Sequence, residues 1–209
     1  MRKLIPIFVF VLTCICGMIC SLKGAACDGN NEKRSSLCVG VPQNLPECDV
    51  SSIHRMLDDN GSPIQGDHVK VAVIDSGTNV DCQKGLISDC YNFINDTKDI
   101  SDDNGHGTTV TNIILSVAPK AEILAYKVLD HDLNGSESYI MAAVERAIHH
   151  KADIINLSLA DTKRITYDPD NPLTVLIEKA VKQGIVIVVS AGNKGKRWGV
   201  FSPGNSPLA

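Results

Sequence analysis

Residues 69–77 read Val-Lys-Val-Ala-Val-Ile-Asp-Ser-Gly, a run of apolar and mostly β-branched residues that ends in an aspartate and a turn. Such a run is typical of a strand buried on both faces of a sheet. Comparable runs recur at 122–129, 153–159 and 185–190. Segments in which apolar residues follow a helical spacing lie between these runs, at 106–116, 137–150 and 173–183. This alternation predicts an α/β fold, in which a mainly parallel β-sheet is flanked by helices on both faces.

Three polar residues stand where these predicted elements begin or end. Asp75 ends the first strand, His106 opens the first helix, and Asn193 follows the fourth strand. Each of them alone is better explained as an ordinary turn or cap residue. The carboxyl ends of parallel strands, however, meet at one edge of the sheet, where α/β proteins bind their ligands. Together, an Asp can orient a His, the His can act as a general base, and an Asn amide can stabilise an oxyanion.

Five stretches of the chain carry a recognisable family pattern. They read VAVIDSG, NGHGT, VAPKAEILAYKVL, ADIINLSL and VIVVSAGNKG, at 71–77, 104–108, 117–129, 152–159 and 186–195. In these blocks and their spacing the chain resembles the subtilisin-like serine proteases (the subtilases, peptidase family S8). The resemblance covers about 69–209, and it implies a subtilisin-like fold that hydrolyses peptide bonds of a polypeptide substrate with an Asp/His/Ser triad.

The resemblance also implies roles for individual residues. Asp75 matches the triad aspartate, His106 matches the general base, and Asn193 matches the amide of the oxyanion hole. Three further segments match the family's substrate-binding edges and a pocket wall: Leu133-Asn134-Gly135, Ser158-Leu159-Ala160 and Ser190-Ala191-Gly192. An extended substrate is read in such a site by main-chain hydrogen bonds, with alternate side chains in pockets.

The chain departs from the family pattern at the nucleophile. The family's block Gly-Thr-Ser followed by Met-Ala does not occur in the 209 residues. The resemblance therefore covers an N-terminal portion of the family's domain, with a sheet that is incomplete at its C-terminus. We expect the serine beyond residue 209, which would make this chain alone inactive. The alternative is a catalytically inactive subtilase fold that serves as a peptide-binding or interaction module.

The first residues have the pattern of a targeting segment. Met1-Arg2-Lys3 is followed by an uncharged stretch at 4–22 and then by the small residues Gly24-Ala25-Ala26. This order predicts a signal peptide over residues 1–26. An uncleaved N-terminal anchor and a lipid-modified Cys27 remain as alternatives. All three place the rest of the chain outside the cytosol, as a secreted or extracytoplasmic protein, and only the two alternatives attach it to a membrane.

The remainder of the chain divides into two parts by composition. Residues 27–67 are polar, interrupted by Gly and Pro, and without a sustained period, so we interpret them as a lead-in. Residues 68–209 hold the alternating pattern and are predicted to be the partial subtilisin-like peptidase domain.

The charge distribution excludes one class of partner. Three of the 20 basic residues lie in residues 1–26, which hold no acidic residue, so 27–209 carry 17 basic and 24 acidic residues and a net charge of −7. A domain of this charge has no general attraction to a phosphate backbone, and we expect no nucleic-acid partner.

Neither a metal nor a cofactor is expected from the pattern of ligand-type residues. The acidic residues between the first strand and the first helix lack the spacing of an EF-hand and predict a solvated acidic loop: Asp89, Asp96, Asp99, Asp102 and Asp103. Five cysteines lie beyond the leader, and none forms a CxxC pair. Cys82 and Cys90 enclose a short loop that a disulfide could bridge in an exported protein.

Overall fold

A computed structural model describes residues 54–58, 60–80, 85–161, 166–193 and 199–209. The predicted signal peptide and most of the lead-in lie outside the described residues. Cys82 does so as well, so its pairing with Cys90 stays a prediction. Within the described part of the chain, no helix is both long and apolar enough to cross a membrane.

The centre of the fold is a parallel sheet. Its strands are β1 (Lys70–Asp75), β2 (Ile87–Asn92), β3 (Glu122–Lys127), β4 (Ile154–Leu157) and β5 (Val186–Val189). They are arranged in the order β2-β3-β1-β4-β5, and every pairing is parallel. The helices are α1 (His106–Val117), α2 (Glu137–His149) and α3 (Pro172–Lys182). The predicted fold class is therefore confirmed, with β1 as the central strand.

Alternate side chains of β1 enter two separate cores. Val71 and Val73 pack in the core that α1 covers, whereas Ala72 and Ile74 pack in the core under α2 and α3. Because both faces are covered, a strand here must be apolar at every position, which explains its uninterrupted run of apolar residues. The charged side chains of β1 are thereby confined to its two ends, with Lys70 at the start and Asp75 at the carboxyl end.

Capping side chains define where two of the helices begin. Ser136 Oγ accepts a hydrogen bond from Tyr139 N (3.2 Å) at the start of α2. Asn171 Oδ1 accepts one from Thr174 N (3.0 Å) at the start of α3, where Pro172 occupies the first turn. These bonds satisfy backbone donors that have no partner within a helix, and they fix the loops that precede α2 and α3.

The acidic segment before α1 contains a strand that the sequence pattern did not predict. Ile87–Asn92 forms β2 at the edge of the sheet, paired with β3. Asp89 of this strand accepts two hydrogen bonds from the Arg146 guanidinium (2.7 and 2.9 Å) and one from the Tyr126 hydroxyl (2.8 Å). The prediction of a solvated loop is wrong for Asp89, because Arg146 and Tyr126 remove its carboxylate from solvent.

A test of this ion pair is the variant Asp89→Asn. The side chain of Asp89 is 14% exposed, and hydrogen bonds to charged groups contribute about 1.5–3 kcal/mol. We therefore expect the free energy of unfolding, measured in urea, to fall by about 2 kcal/mol. The matched control is Asp67→Asn, whose pair with Lys120 is exposed and should contribute less than about 1 kcal/mol. Equal losses in the two variants would contradict the expectation.

The same pair should make stability depend on pH. Burial alone would raise the pKa of the Asp89 carboxyl, but hydrogen bonds from Arg146 and Tyr126 hold that pKa below its ordinary value. The stabilisation is then fully present above the pKa of the unfolded carboxyl, about 3.9, and is lost as the pH falls through the folded pKa. The difference in unfolding free energy between wild type and Asp89→Asn should accordingly shrink as the pH falls below about 3.9. A difference that grows in acid would contradict this.

Candidate active site

A hydrogen-bonded pair lies where β1 ends and α1 begins. His106 Nδ1 donates to Asp75 Oδ1 at 2.7 Å, and the same oxygen accepts from Ser76 N at 2.7 Å. The Asp75 side chain is 1% exposed, whereas that of His106 is 18% exposed. An imidazole that keeps its proton on Nδ1 carries the lone pair on Nε2, so the pair can accept a proton at Nε2 and stabilise the resulting imidazolium.

Two glycines allow the helix to begin this close to the strand. A Cβ atom at Gly107 would overlap the carbonyl oxygen of Gly77 and would lie 3.2 Å from Asp75 Cβ. Gly77 itself has a φ of 107°, and a Cβ there would overlap the carbonyl oxygen of Ile100. Only residues without a side chain fit at both positions. The backbone contact between Gly77 and Gly107 therefore brings His106 within reach of Asp75.

Asp102 lies beside the pair and is also buried. Its carboxylate accepts hydrogen bonds from Ser76 Oγ (2.9 Å), Gly105 N (2.8 Å) and Thr108 N (2.8 Å). Burial raises the pKa of this carboxyl, but the hydrogen bonds from Thr108, Gly105 and Ser76 outweigh burial and hold the pKa below its ordinary value. The prediction of a solvated acidic loop is thus wrong for Asp102 as well, whereas Asp96 and Asp99 are exposed.

A buried lysine at the end of β3 lies beside the site. Lys127 Nζ donates to the Ser76 carbonyl oxygen (2.6 Å) and to Asp103 Oδ1 (2.7 Å). The hydrogen bond from Lys127 holds the pKa of Asp103 below its ordinary value. Sequence reasoning missed Lys127 and the hydroxyl of Ser76. The one available signal was their place beside Asp75, since Lys127 ends the neighbouring strand in register with Asp75.

The segment that follows β4 is tied to the segment that follows β5. Ser190 Oγ donates to the Leu159 carbonyl oxygen (2.8 Å), and Ser158 Oγ accepts from Asn156 Nδ2 (2.9 Å). Ala160 is half-buried beside them. These bonds bring together two of the three segments predicted to bind substrate, at the carboxyl edge of the sheet.

The segment predicted to form a pocket wall follows β5. Ala191 O accepts a hydrogen bond from Phe201 N (3.2 Å), and the ring of Phe201 packs where a Cβ at Gly192 would stand. Asn193 follows and is exposed. Because β4 separates β5 from β1, and adjacent strands lie about 4.8 Å apart, the carboxyl ends of β5 and β1 lie on the order of 10 Å from each other at the same edge of the sheet.

The third predicted segment lies in the loop after β3. Asp130 Oδ1 accepts from Asn134 N (2.8 Å), and this bond holds the pKa of the Asp130 carboxyl below its ordinary value. Leu133 has a φ of 63° and packs against the core, while Gly135 approaches the backbone of Val128. The loop therefore has a defined shape.

This loop is connected to the turn that leads into α1. Asn104 Nδ2 donates to the His131 carbonyl oxygen (2.7 Å), and Asn104 Oδ1 accepts from His106 N (3.2 Å). A single amide thus ties the loop after β3 to the helix that carries the imidazole.

No group of three or more His, Cys, Asp or Glu residues within the described ranges is arranged to hold a metal ion. Cys90 Sγ donates a hydrogen bond to the Lys98 carbonyl oxygen at 3.7 Å.

The chain matches a protein-family model. Residues 66–208 match the model described as the subtilase family. This range includes all five strands and both members of the Asp75–His106 pair.

Curated proteins with similar sequences include bacterial proteases. The chain is 36% identical over 165 residues to subtilisin E of Bacillus subtilis (strain 168), a match that covers 74% of this chain and 40% of that protein. It is 36% identical over 165 residues to subtilisin of Bacillus pumilus, covering 74% and 56% of the two chains. It is 33% identical over 157 residues to the minor extracellular protease Epr of Bacillus subtilis (strain 168), covering 70% and 22%. The chain thus spans less than two thirds of the length of these relatives.

Solved structures show the same likeness. A lanthipeptide protease superposes with a TM-score of 0.55 at 30% identity, covering 63% of this chain and 41% of the other. A cold-adapted subtilisin-like serine proteinase superposes with a TM-score of 0.55 at 25% identity, covering 68% and 55%.

The close approach of α1 to β1 can be tested with Gly107→Ala. At an exposed position in the middle of a helix, replacing Gly by Ala would stabilise the protein by about 0.5–1 kcal/mol. Here the added methyl group overlaps the Gly77 carbonyl, and overpacking typically costs about 1–3 kcal/mol. We expect a net loss of unfolding free energy in urea denaturation. Ser116→Ala, an exposed position on the same helix, should change it by less than about 0.5 kcal/mol. A stabilised Gly107→Ala would disprove the close contact.

Proposed function

The chain belongs to the subtilase family, and we propose that it is the portion of a serine endopeptidase that supplies the aspartate, the general base and the oxyanion donor. The observation that carries the proposal is the 2.7 Å hydrogen bond from His106 Nδ1 to the buried Asp75 carboxylate. A buried carboxylate on Nδ1 favours the tautomer in which Nε2 accepts a proton.

In the proposed reaction the nucleophile is a serine hydroxyl supplied by sequence after residue 209. His106 Nε2 takes the hydroxyl proton while the serine oxygen attacks the peptide carbonyl carbon. The side-chain amide of Asn193 donates a hydrogen bond to the oxyanion that forms. His106 then gives the proton to the leaving amine, and the acyl group left on the serine is released by water in the reverse sequence of proton transfers.

The proposed substrate is an extended polypeptide that lies across the carboxyl edge of the sheet. Its main chain would run between Leu133-Asn134-Gly135 on one side and Ser158-Leu159-Ala160 on the other. Ser190-Ala191-Gly192 would form one wall of the pocket for the residue before the cleaved bond. The hydrogen bond between Ser190 and Leu159 supports this placement, because it fixes the wall against one edge.

We propose that the protein acts outside the cytosol. The support is the targeting pattern over residues 1–26, together with relatives named as extracellular proteases of Bacillus subtilis. We place the start of the peptidase domain near residue 68, which agrees with a family match that begins at residue 66.

The catalytic roles can be tested in the proposed longer protein, in which a nucleophilic serine follows residue 209. Asn193→Ala should lower kcat by about 10²–10³-fold with little change in KM, because it removes one oxyanion donor. His106→Ala should lower kcat further, since the serine then lacks its base. The matched control is His149→Ala, an exposed position on α2, which should retain wild-type activity. Peptide hydrolysis at the wild-type rate by His106→Ala would overturn the proposal.

A fluorophosphonate probe separates the proposed peptidase from the inactive alternative. The extended protein should form a covalent adduct at its serine, whereas the 209-residue chain should form none, because it lacks the nucleophile block. Peptide binding by an extended protein that is not labelled would favour the peptide-binding module. Labelling of the 209-residue chain would show a nucleophile within it and contradict the assignment.

A further inference from the structure

We propose that Asp102 is a positioning residue for the Asp75–His106 pair: its carboxylate joins the end of β1 to the first turn of α1 and sets the alignment of the imidazole. This inference rests on the proposed peptidase function, since alignment affects catalysis only if His106 is the base. The hydrogen bonds that hold the Asp102 carboxylate come from Ser76, Gly105 and Thr108, and not from Asp75 or His106. Asp102 acts through their chain neighbours.

The first connection runs to the strand. Asp102 Oδ1 accepts a hydrogen bond from Ser76 Oγ (2.9 Å), and Ser76 directly follows Asp75. Ser76 Oγ in turn accepts from Gly107 N (3.0 Å), which directly follows His106. The Ser76 hydroxyl thus bridges the Asp102 carboxylate and the backbone N–H of Gly107. Its orientation is set by Asp102, because a hydroxyl that donates to Asp102 turns a lone pair towards Gly107.

The second connection runs to the helix. Asp102 Oδ1 also accepts from Gly105 N (2.8 Å), and Oδ2 accepts from both Thr108 N (2.8 Å) and Thr108 Oγ1 (2.6 Å). Gly105 precedes His106 and Thr108 follows it by two residues. The carboxylate therefore holds the backbone on both sides of the imidazole, at a helix start where a negative charge is favourable.

Asp102 is itself held in place by a side-chain amide. Asp102 N donates to Asn79 Oδ1 (3.0 Å), and Asn79 Nδ2 donates to Asp102 O (2.9 Å). Asn79 N donates to Thr108 Oγ1 (3.0 Å). The loop after β1 and the helix start therefore share one closed network rather than a single contact.

The chemistry of the site requires a carboxylate at this position. The residue is 8% exposed, and donors face both of its oxygens. An asparagine has one oxygen, so its NH₂ group would face either Gly105 and Ser76 or the two Thr108 donors. One side of the network must then lose its hydrogen bonds, and a buried donor without a partner destabilises that geometry.

The first test uses the 209-residue chain labelled with ¹⁵N in its histidine side chains. The proton that His106 Nδ1 donates to Asp75 is expected to give a far-downfield proton resonance coupled to that nitrogen. Asp102→Asn should shift this resonance or broaden it beyond detection at temperatures where the variant remains folded. Its absence from the wild-type chain, or an unchanged resonance in folded Asp102→Asn, would overturn the inference.

The matched control is Asp153→Asn. Asp153 Oδ2 accepts a hydrogen bond from Lys70 N (2.9 Å) at the opposite end of β1. The control removes a carboxylate that binds the other end of the same strand, and it should lower stability without affecting the resonance. If both variants changed the resonance equally, Asp102 would have only a structural role. If Asp102→Asn does not fold, Ser76→Ala removes the hydroxyl through which Asp102 is connected to β1 and to Gly107 N, and it must shift the same resonance for the inference to stand.

The second test measures kinetics in the serine-bearing protein. Misplacement of a reacting group by about 1 Å can cost on the order of 10²-fold in rate. We therefore expect Asp102→Asn to lower kcat by about 10²-fold with KM changed less than about twofold, and Asp153→Asn to leave both near wild type. A higher KM at unchanged kcat would overturn the positioning role. A wild-type protein without peptidase activity would instead refute the proposed function, and the resonance comparison would still decide the role of Asp102.

Discussion

The hydrogen bond between Asp75 and His106 requires a helix to begin directly against the backbone that follows the central strand. The two residues are 31 positions apart in the chain, and their side chains are short. The contact becomes possible because Gly77 and Gly107 place their backbones together without side chains between them. This contact organises the rest of the site, because it requires the loop before α1 to return to the end of β1. The buried polar groups of that loop must then find hydrogen-bond partners.

Burying two carboxylates at one sheet edge is unfavourable unless donors surround them. Asp75 accepts from His106 and Ser76, and its Oδ2 receives no hydrogen bond from the residues that the structure describes. Asp102 uses both of its oxygens. Lys127 adds a buried positive charge that binds the Ser76 carbonyl and Asp103. The concentration of negative charge at the edge is thus stabilised by a lysine, a helix start and backbone amides.

The strand order determines which segments would flank the proposed substrate at this edge. β1 is central, β3 lies on one side of it and β4 on the other. The loop after β3 and the segment after β4 therefore flank Asp75 on opposite sides. The Asn104 bond to His131 joins the loop after β3 to the helix of the imidazole, and the Ser190 bond to Leu159 joins the segment after β4 to the proposed pocket wall. The proposed function needs both segments at fixed positions relative to His106, and these two hydrogen bonds restrict their movement.

The sequence by itself determined the parts of the fold whose signal is local. β1, β3, β4 and β5 are apolar at nearly every position because both faces of the sheet are covered, and the helices between them repeat apolar residues at helical spacing. The chemistry at strand ends was also visible, since Asp75 and His106 stand where elements end and begin. β2 was not predicted, because Ile87–Asn92 lies at an edge and carries Asp89, whose partner Arg146 is 57 residues away. Only the tertiary structure decided that Asp89 is paired and half-buried and that Asp102 is hydrogen-bonded and buried, because the burial of a charged group depends on donors that folding brings from distant parts of the chain.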